Sequence, residues 1–334
     1  RWAHFQSLSK QDKRRTIVDM LFNNAMYIII ILAIIFIAIR VPQFVSLSSI
    51  VNIISLTAAK LPIALGIAGC IVLTGTDISA GRAVGLSACI SASLLTTANK
   101  IFPGLGVQPL PLVFLLVIAV GAVIGLVNGF SVAKFKLHPF IVTLSTQLYL
   151  KMGENNGQTL SGLSEGYRNL VAGPLFSIGN VAVPRYVLYA ILLTALMWII
   201  WNKTTFGKNM FAVGSNEEAA NVSGVNATII LVFVLAGIMY GITGFFDGAR
   251  IASVNANTGL NYECDAIAAC VIGGVSFVGG TGKISGIVLG VLILRIIFAA
   301  LTFLAIDSSL QYIIKGLIIL VACSLDMRKY LVKK

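Results

Sequence analysis

Apolar runs of about twenty residues recur along this chain, at roughly 21–39, 50–73, 110–133, 186–201, 227–246 and 283–304. A helix needs about 20 apolar residues to cross the hydrocarbon core of a bilayer. Inside that core every backbone N–H and C=O must find a partner within the protein, which restricts such runs to helices or closed barrels. The runs are continuous rather than alternating, so they read as helices. Shorter apolar stretches lie at about 83–98, 140–151, 263–278 and 310–326. Together they predict about ten spans in a single domain, residues 1–334. With 57% hydrophobic and only 11% charged residues, the composition excludes a soluble globular fold.

The net charge of +12 forms no stripe of the kind that tracks nucleic acid. The basic residues sit between spans instead. On the ten-span count, fifteen of the 24 lysines and arginines fall in segments on the side of both termini, six on the opposite side and three within spans. The positive-inside rule then places both termini, and the loop Trp201–Asn226, in the cytoplasm. The first run is too long for a cleavable signal peptide and is followed by Arg40-Val41-Pro42.

Local features refine the spans. Ser46–Ser49 offers a cap for the second, and Pro62 should kink it. In the fourth, Gly121, Gly125 and Gly129 recur at four-residue spacing, which lays three glycines on one helix face where a neighbouring backbone can approach. The fifth carries Thr143, Ser145, Thr146 and Gln147 and is expected to pack inside the bundle. Residues 152–184 form the longest polar connection. The five cysteines lie in or beside apolar runs without C-x-x-C spacing and read as small packing residues. His4 and His138 are the only histidines, which argues against a histidine-based metal or catalytic site.

The polar interruption at 202–226 stands out between two spans. Asn216 is a good N-cap, Glu217 and Glu218 suit the positive end of a helix dipole, and Gly224 can end a helix in the left-handed conformation. A short capped surface helix is expected here. Gly279-Gly280-Thr281-Gly282-Lys283 lacks the first glycine of a phosphate loop, and Ile284 stands where Ser or Thr should follow the lysine. It is not a nucleotide site.

Three further features bear on transport. Thr74–Arg82 is a polar break with two glycines, three hydroxyls and one charge of each sign, expected on the inner side. We expect Thr74, Thr76 and Ser79 to offer hydroxyls to a passing solute, and Asp77 and Arg82 either to pair as a gate or, for Asp77, to cap the next span. Glu263 and Asp265 are expected at the outer mouth of the eighth span, and Arg295, deep in the ninth, needs a partner that the sequence does not name. Finally, Ile67-Ala68-Gly69-Cys70 resembles Ile267-Ala268-Ala269-Cys270, and Gly81–Gly85 resembles Gly282–Gly286. Either an internal repeat or convergence among small membrane residues explains this echo.

Glu218-Ala219-Ala220 with Gly224 resembles the EAA-type cytoplasmic loop of ABC-importer permeases. Leu73–Arg82, Trp201–Asn209, Val222–Asn226 and Asp265–Cys270 extend the resemblance to the ribose/galactose branch of that family. It implies an all-α polytopic protein of the bacterial cytoplasmic (inner) membrane, with the fold of type II ABC importers. It also implies a homodimer, a partner ATPase subunit with two nucleotide-binding modules that carries the ATP and Mg, and an extracytoplasmic sugar-binding protein. Within it, Glu217, Glu218, Ala219, Ala220, Val222 and Gly224 would couple the permease to the ATPase, with the Ala219-Ala220 face entering the ATPase groove. The chain itself would bind no cofactor and catalyse no reaction. The cargo implied is a sugar of the galactose type, with ribose, xylose or a nucleoside as alternatives. An ion-coupled secondary transporter fits less well, because such proteins place carboxylates at mid-membrane and the acidic residues here cluster at span ends.

Overall fold

The computed structural model describes residues 35, 37–97, 104, 106–151, 159–225 and 228–331. The first predicted span, at 21–39, lies almost wholly outside them. A 3-10 turn at Pro42–Val45 leads into α1 (Leu47–Val72), whose N-cap Ser46 accepts from the Ser49 amide. Pro62 lies within α1 without ending it. Then follow α2 (Ala80–Leu95), α3 (Leu110–Phe135), α4 (Pro139–Lys151) and α5 (Glu165–Ala172). A hairpin of β1 (Pro174–Ile178) and β2 (Val181–Pro184) joins α5 to α6 (Arg185–Lys203). After it come α7 (Thr205–Ser215), α8 (Glu217–Val222), α9 (Thr228–Ile251), α10 (Tyr262–Ile272), α11 (Ile284–Phe303) and α12 (Ser308–Leu331).

Five of these helices, α1, α3, α6, α9 and α11, are long and apolar enough to cross a membrane. The chain is therefore a polytopic helical membrane protein. Helices α1 and α9 form the core: most of each is buried, whereas α3, α6 and α11 leave large apolar faces outside. In water that exposure would drive aggregation; in lipid it costs nothing.

The glycine stripe on α3 lies against α9. A side chain at Gly121 would strike the carbonyl of Gly237, and one at Gly125 would strike that of Phe233. The converse holds at Gly237, where the obstacle is the Gly121 carbonyl. The two backbones touch because neither helix carries a Cβ at the crossing.

Two expectations need correction. Helix α4 does not pack inside the described chain, since Phe140, Ile141, Leu144 and Leu148 are all exposed and only Val142 and Thr143 are buried. The connection at 152–184 is not merely irregular but carries α5 and the hairpin, closed by Tyr167, whose hydroxyl donates to the Phe245 carbonyl.

Candidate functional site

The polar interruption folds into two helices rather than one. Thr204 caps α7 by accepting from the Gly207 amide, and Asn216 caps α8 by accepting from Ala219 at 2.9 Å. Gly224, at φ +81°, ends α8: its amide donates to Asn221 and that of Val225 to Ala220. This is the paired 5→2 and 6→1 closure of a Schellman motif. The Glu217 carboxylate takes a salt bridge of 2.5 Å from Lys136, just past the end of α3.

The face that α8 presents differs from the one expected. Ala220, expected on the outward face, is buried in this chain. Glu218, Ala219 and Asn221 are exposed, and Val222 is 91% exposed, the most open of the large apolar side chains. A helix of six residues cannot bury one side in its own chain and present the same side outward.

Helix α7 was not foreseen, although Met210 and Val213 give it a buried side. Its C-terminus is the contact between this loop and the membrane region. Gly214 sits so close to the Val72 carbonyl and the Gly280 amide that no side chain fits, and Gly280 abuts Ser215 in the same way. The Gly280 amide donates to Val72 at 2.9 Å. Two chain breaks thus meet under α7: one after α1, the other after α10.

The breaks are equivalent. After α1, Thr74 donates to Ile71 and Gly75 to Cys70; after α10, Gly274 donates to Val271 and Val275 to Cys270. Both are Schellman closures, and both put their pivot in the left-handed region, Thr74 at φ 60° and Gly274 at φ 82°. The sequence echo therefore marks the same backbone turn built twice, 200 positions apart. For the β-branched Thr74 the left-handed conformation is strained.

From Thr74 the chain runs through three irregular residues and a turn at Ile78-Ser79, and α2 begins only at Ala80. Asp77 reaches Tyr240, whose hydroxyl donates to its Oδ2 at 3.2 Å. Tyr240 lies about 18 Å along α9 at 1.5 Å per residue, near the middle of a core about 30 Å thick.

Asp77 and Ser79 are fully buried and cannot touch a solute in this conformation. Asp77 Oδ1 accepts from the Ser79 amide and hydroxyl, Asn128 Nδ2 donates to Ser79 Oγ at 3.0 Å, and Thr146 donates to Asn128 Oδ1 at 2.6 Å. Thr143 accepts from the Ile78 amide. This network ties the break to α3, α4 and α9. Arg82 donates to the Ala256 carbonyl. Of the five residues, Thr74 is exposed and Thr76 and Arg82 are half-buried.

Glu263, expected at the outer mouth of the eighth span, is buried against Gly81 at the start of α2, with Gln147 3.5 Å away. Arg295 finds its partner in Asp265, at 3.0 Å, and Lys315 shares that carboxylate at 2.6 Å. A second buried cluster joins Lys60 and Arg250 to Asp247, at 3.0 and 2.8 Å. The first set joins the consecutive helices α10, α11 and α12, and the second joins α1 to an i,i+3 pair on α9.

A bundle of helices long and apolar enough to cross a membrane, broken by twin turns that rest on a short helix pair, has the form of a membrane permease. Residues 49–323 match the family described as branched-chain amino acid transport system / permease component, and the chain belongs to that family. It is 42% identical over 328 residues to a galactose/methyl galactoside import permease protein of Haemophilus influenzae, covering 95% of this chain and 97% of the relative. The corresponding Escherichia coli protein is 41% identical over 333 residues, 96% and 98% of the two chains. A ribose import permease protein of Haemophilus influenzae is 33% identical over 312 residues, 92% and 93%. No solved structure matches the chain. The resemblance read from the short motifs thus extends across nearly the whole sequence.

Proposed function

We propose that this chain is the transmembrane subunit of an ATP-driven importer, carrying a sugar of the galactose/methyl galactoside type into the cytoplasm. The observation that carries this reading is the 42% identity to a galactose permease over 95% of the chain, against 33% to a ribose permease. ATP and Mg belong to a separate ATPase subunit, and a sugar-binding protein delivers cargo from outside. Ten spans, with both termini cytoplasmic, fit the charge distribution, and the bare face of α4 suits packing against a second copy. The test is uptake by vesicles reconstituted with this chain, its ATPase and its binding protein. Labelled galactose should enter only with ATP and binding protein both present. Ribose uptake at an equal rate, or uptake driven by an ion gradient without ATP, would overturn the reading.

Coupling to the ATPase runs through α8, with Glu218, Ala219 and Val222 as the docking face and Glu217, Ala220 and Gly224 fixing its pose. We expect Val222→Asp to leave the permease folded but to reduce ATPase co-purification at least tenfold. Full retention of the ATPase would remove Val222 from the interface.

From α8 the motion passes to the membrane through the C-terminus of α7, where Gly214 bears on both breaks. Thr74, Thr76 and Arg82 are the residues of the first break open enough to meet the sugar, while Asp77 and Ser79 hold its shape. Gly214→Ala adds one carbon against the Val72 carbonyl and the Gly280 amide. The expected result is an assembled complex that still hydrolyses ATP at its basal rate while sugar uptake falls at least tenfold. Normal uptake would show that the contact transmits nothing.

A further inference from the structure

A crevice of about 500 Å³ opens between α3, α5, α6 and α9. Its walls are apolar throughout, with Phe114, Leu192, Leu196, Ile242 and Phe246 among them. Aromatic contacts hold those walls in place: Phe114 and Tyr167 both pack on Phe245, with ring centroids 5.1 and 4.9 Å apart, and Tyr189 lies 5.9 Å from Phe246. The crevice is therefore framed by fixed elements and is not a gap between loose side chains.

Its depth identifies what fills it. Leu110 and Leu170 stand at its rim, at the start of α3 and on α5. Leu196, its far end on α6, lies eleven residues from the helix start at Arg185, about 17 Å at 1.5 Å per residue. One leaflet of a core about 30 Å thick has about 15 Å of hydrocarbon. On α6 the crevice itself runs from Tyr189 to Leu196, about 10 Å at 1.5 Å per residue, so it fits within one leaflet and has the chemistry of its interior.

The rim carries the matching charge. Arg168 on α5 is exposed, and Arg185 at the head of α6 spans to α5 by donating to the Asn169 carbonyl at 3.0 Å. Tyr189 donates to the Leu170 carbonyl, so α5 is fastened across the crevice mouth. Guanidinium groups at that level suit a phosphate oxygen pair.

Where the described chain begins, Ile37 and Phe44 cluster with Ile53 and with Ala300 on α11, which contributes no residue to the crevice.

We propose that this crevice binds one acyl chain of a phospholipid, whose phosphate is held by Arg168 and Arg185. The site does not depend on the cargo or on the ATPase; on the topology proposed above it faces the outer leaflet.

Native mass spectrometry of the purified full chain, after exchange from phosphatidylglycerol-containing membranes into mild detergent, tests this. One phosphatidylglycerol should remain per protomer. Ile242→Trp, which fills the crevice, should reduce that occupancy at least fivefold, and Arg168→Gln with Arg185→Gln should abolish the preference for phosphatidylglycerol over phosphatidylcholine. If Ile242→Trp does not fold, a reporter replaces it. Leu192→Trp in a Trp198→Phe background, in vesicles of phosphatidylglycerol with brominated chains, should be quenched at least twofold more than its parent. Unchanged lipid retention, or no added quenching, overturns the proposal. So does efficient cross-linking of two copies through Leu192→Cys, since a second copy would then cover the crevice.

Discussion

Gly237→Val is expected to leave little folded protein in the membrane. The added Cβ alone would meet the Gly121 carbonyl and the Gly125 amide, and the two methyls beyond it have nowhere to go. Both obstacles are backbone, so relief requires α3 and α9 to separate along their whole crossing. Overpacking ordinarily costs about 1–3 kcal/mol, and a forced separation of two core helices belongs at or above the top of that range. Yield of detergent-stable protein and its thermal unfolding midpoint would report the loss. Gly106→Val, where nothing lies within 4 Å of the added carbon, is the matched control and should behave as the parent does. Equal yields from the two variants would mean that the helices do not meet as described.

Asp247→Leu should be nearly as damaging, for an electrostatic reason. Asp247 is fully buried and is the shared counter-ion of Lys60 and Arg250. Its removal leaves the buried Lys60 and the part-buried Arg250 without their shared counter-ion. Breaking a buried pair by deleting one partner costs about 3–5 kcal/mol. Lys60→Met should cost less, because Asp247 keeps Arg250 and the new side chain resembles the lysine stem in volume. The ordering of unfolding midpoints, parent above Lys60→Met above Asp247→Leu, checks the argument. The reverse order of the two variants would show that lysine, not aspartate, is the indispensable member.

The sequence carried most of the architecture, because a bilayer leaves a chain few options. Lengths of apolar runs, the glycine stripe on α3 and the Asn216 and Gly224 caps are local signals, and each placed its element within a few residues. Three things were not legible. Helix α7 was hidden because its polar outer side and short length read as loop, although Thr204, Met210 and Val213 supply a cap and a buried stripe. The burial of Asp77 was missed because its partner Tyr240 lies 163 positions away. The partners of Arg295 and Lys60 lay 30 and 187 positions away, and no local rule finds them. Within the candidate site, the break and the short helix were visible, but which side chains faced outward was not. Ala220 and Ser79 turned inward because each is held by a neighbour distant in sequence or by the turn that follows it.

The anchoring of α8 has a consequence for recognition. Six residues are far too few to hold helical form alone, since nucleating the first turn is unfavourable and isolated helices need about 12–15 residues to persist in water. Here the conformational entropy is given up when the permease itself folds: Asn216 closes one end, Gly224 the other, Lys136 grips Glu217, and Ala220 is sunk in the chain. Whatever docks on Glu218, Ala219 and Val222 therefore meets a rigid template. Ordering a flexible loop at the moment of contact would cost about 0.5–1.5 kcal/mol for each side chain immobilised. Because that loss is already incurred, a small patch can be recognised tightly, and a partner can release it and bind it again without refolding it each time.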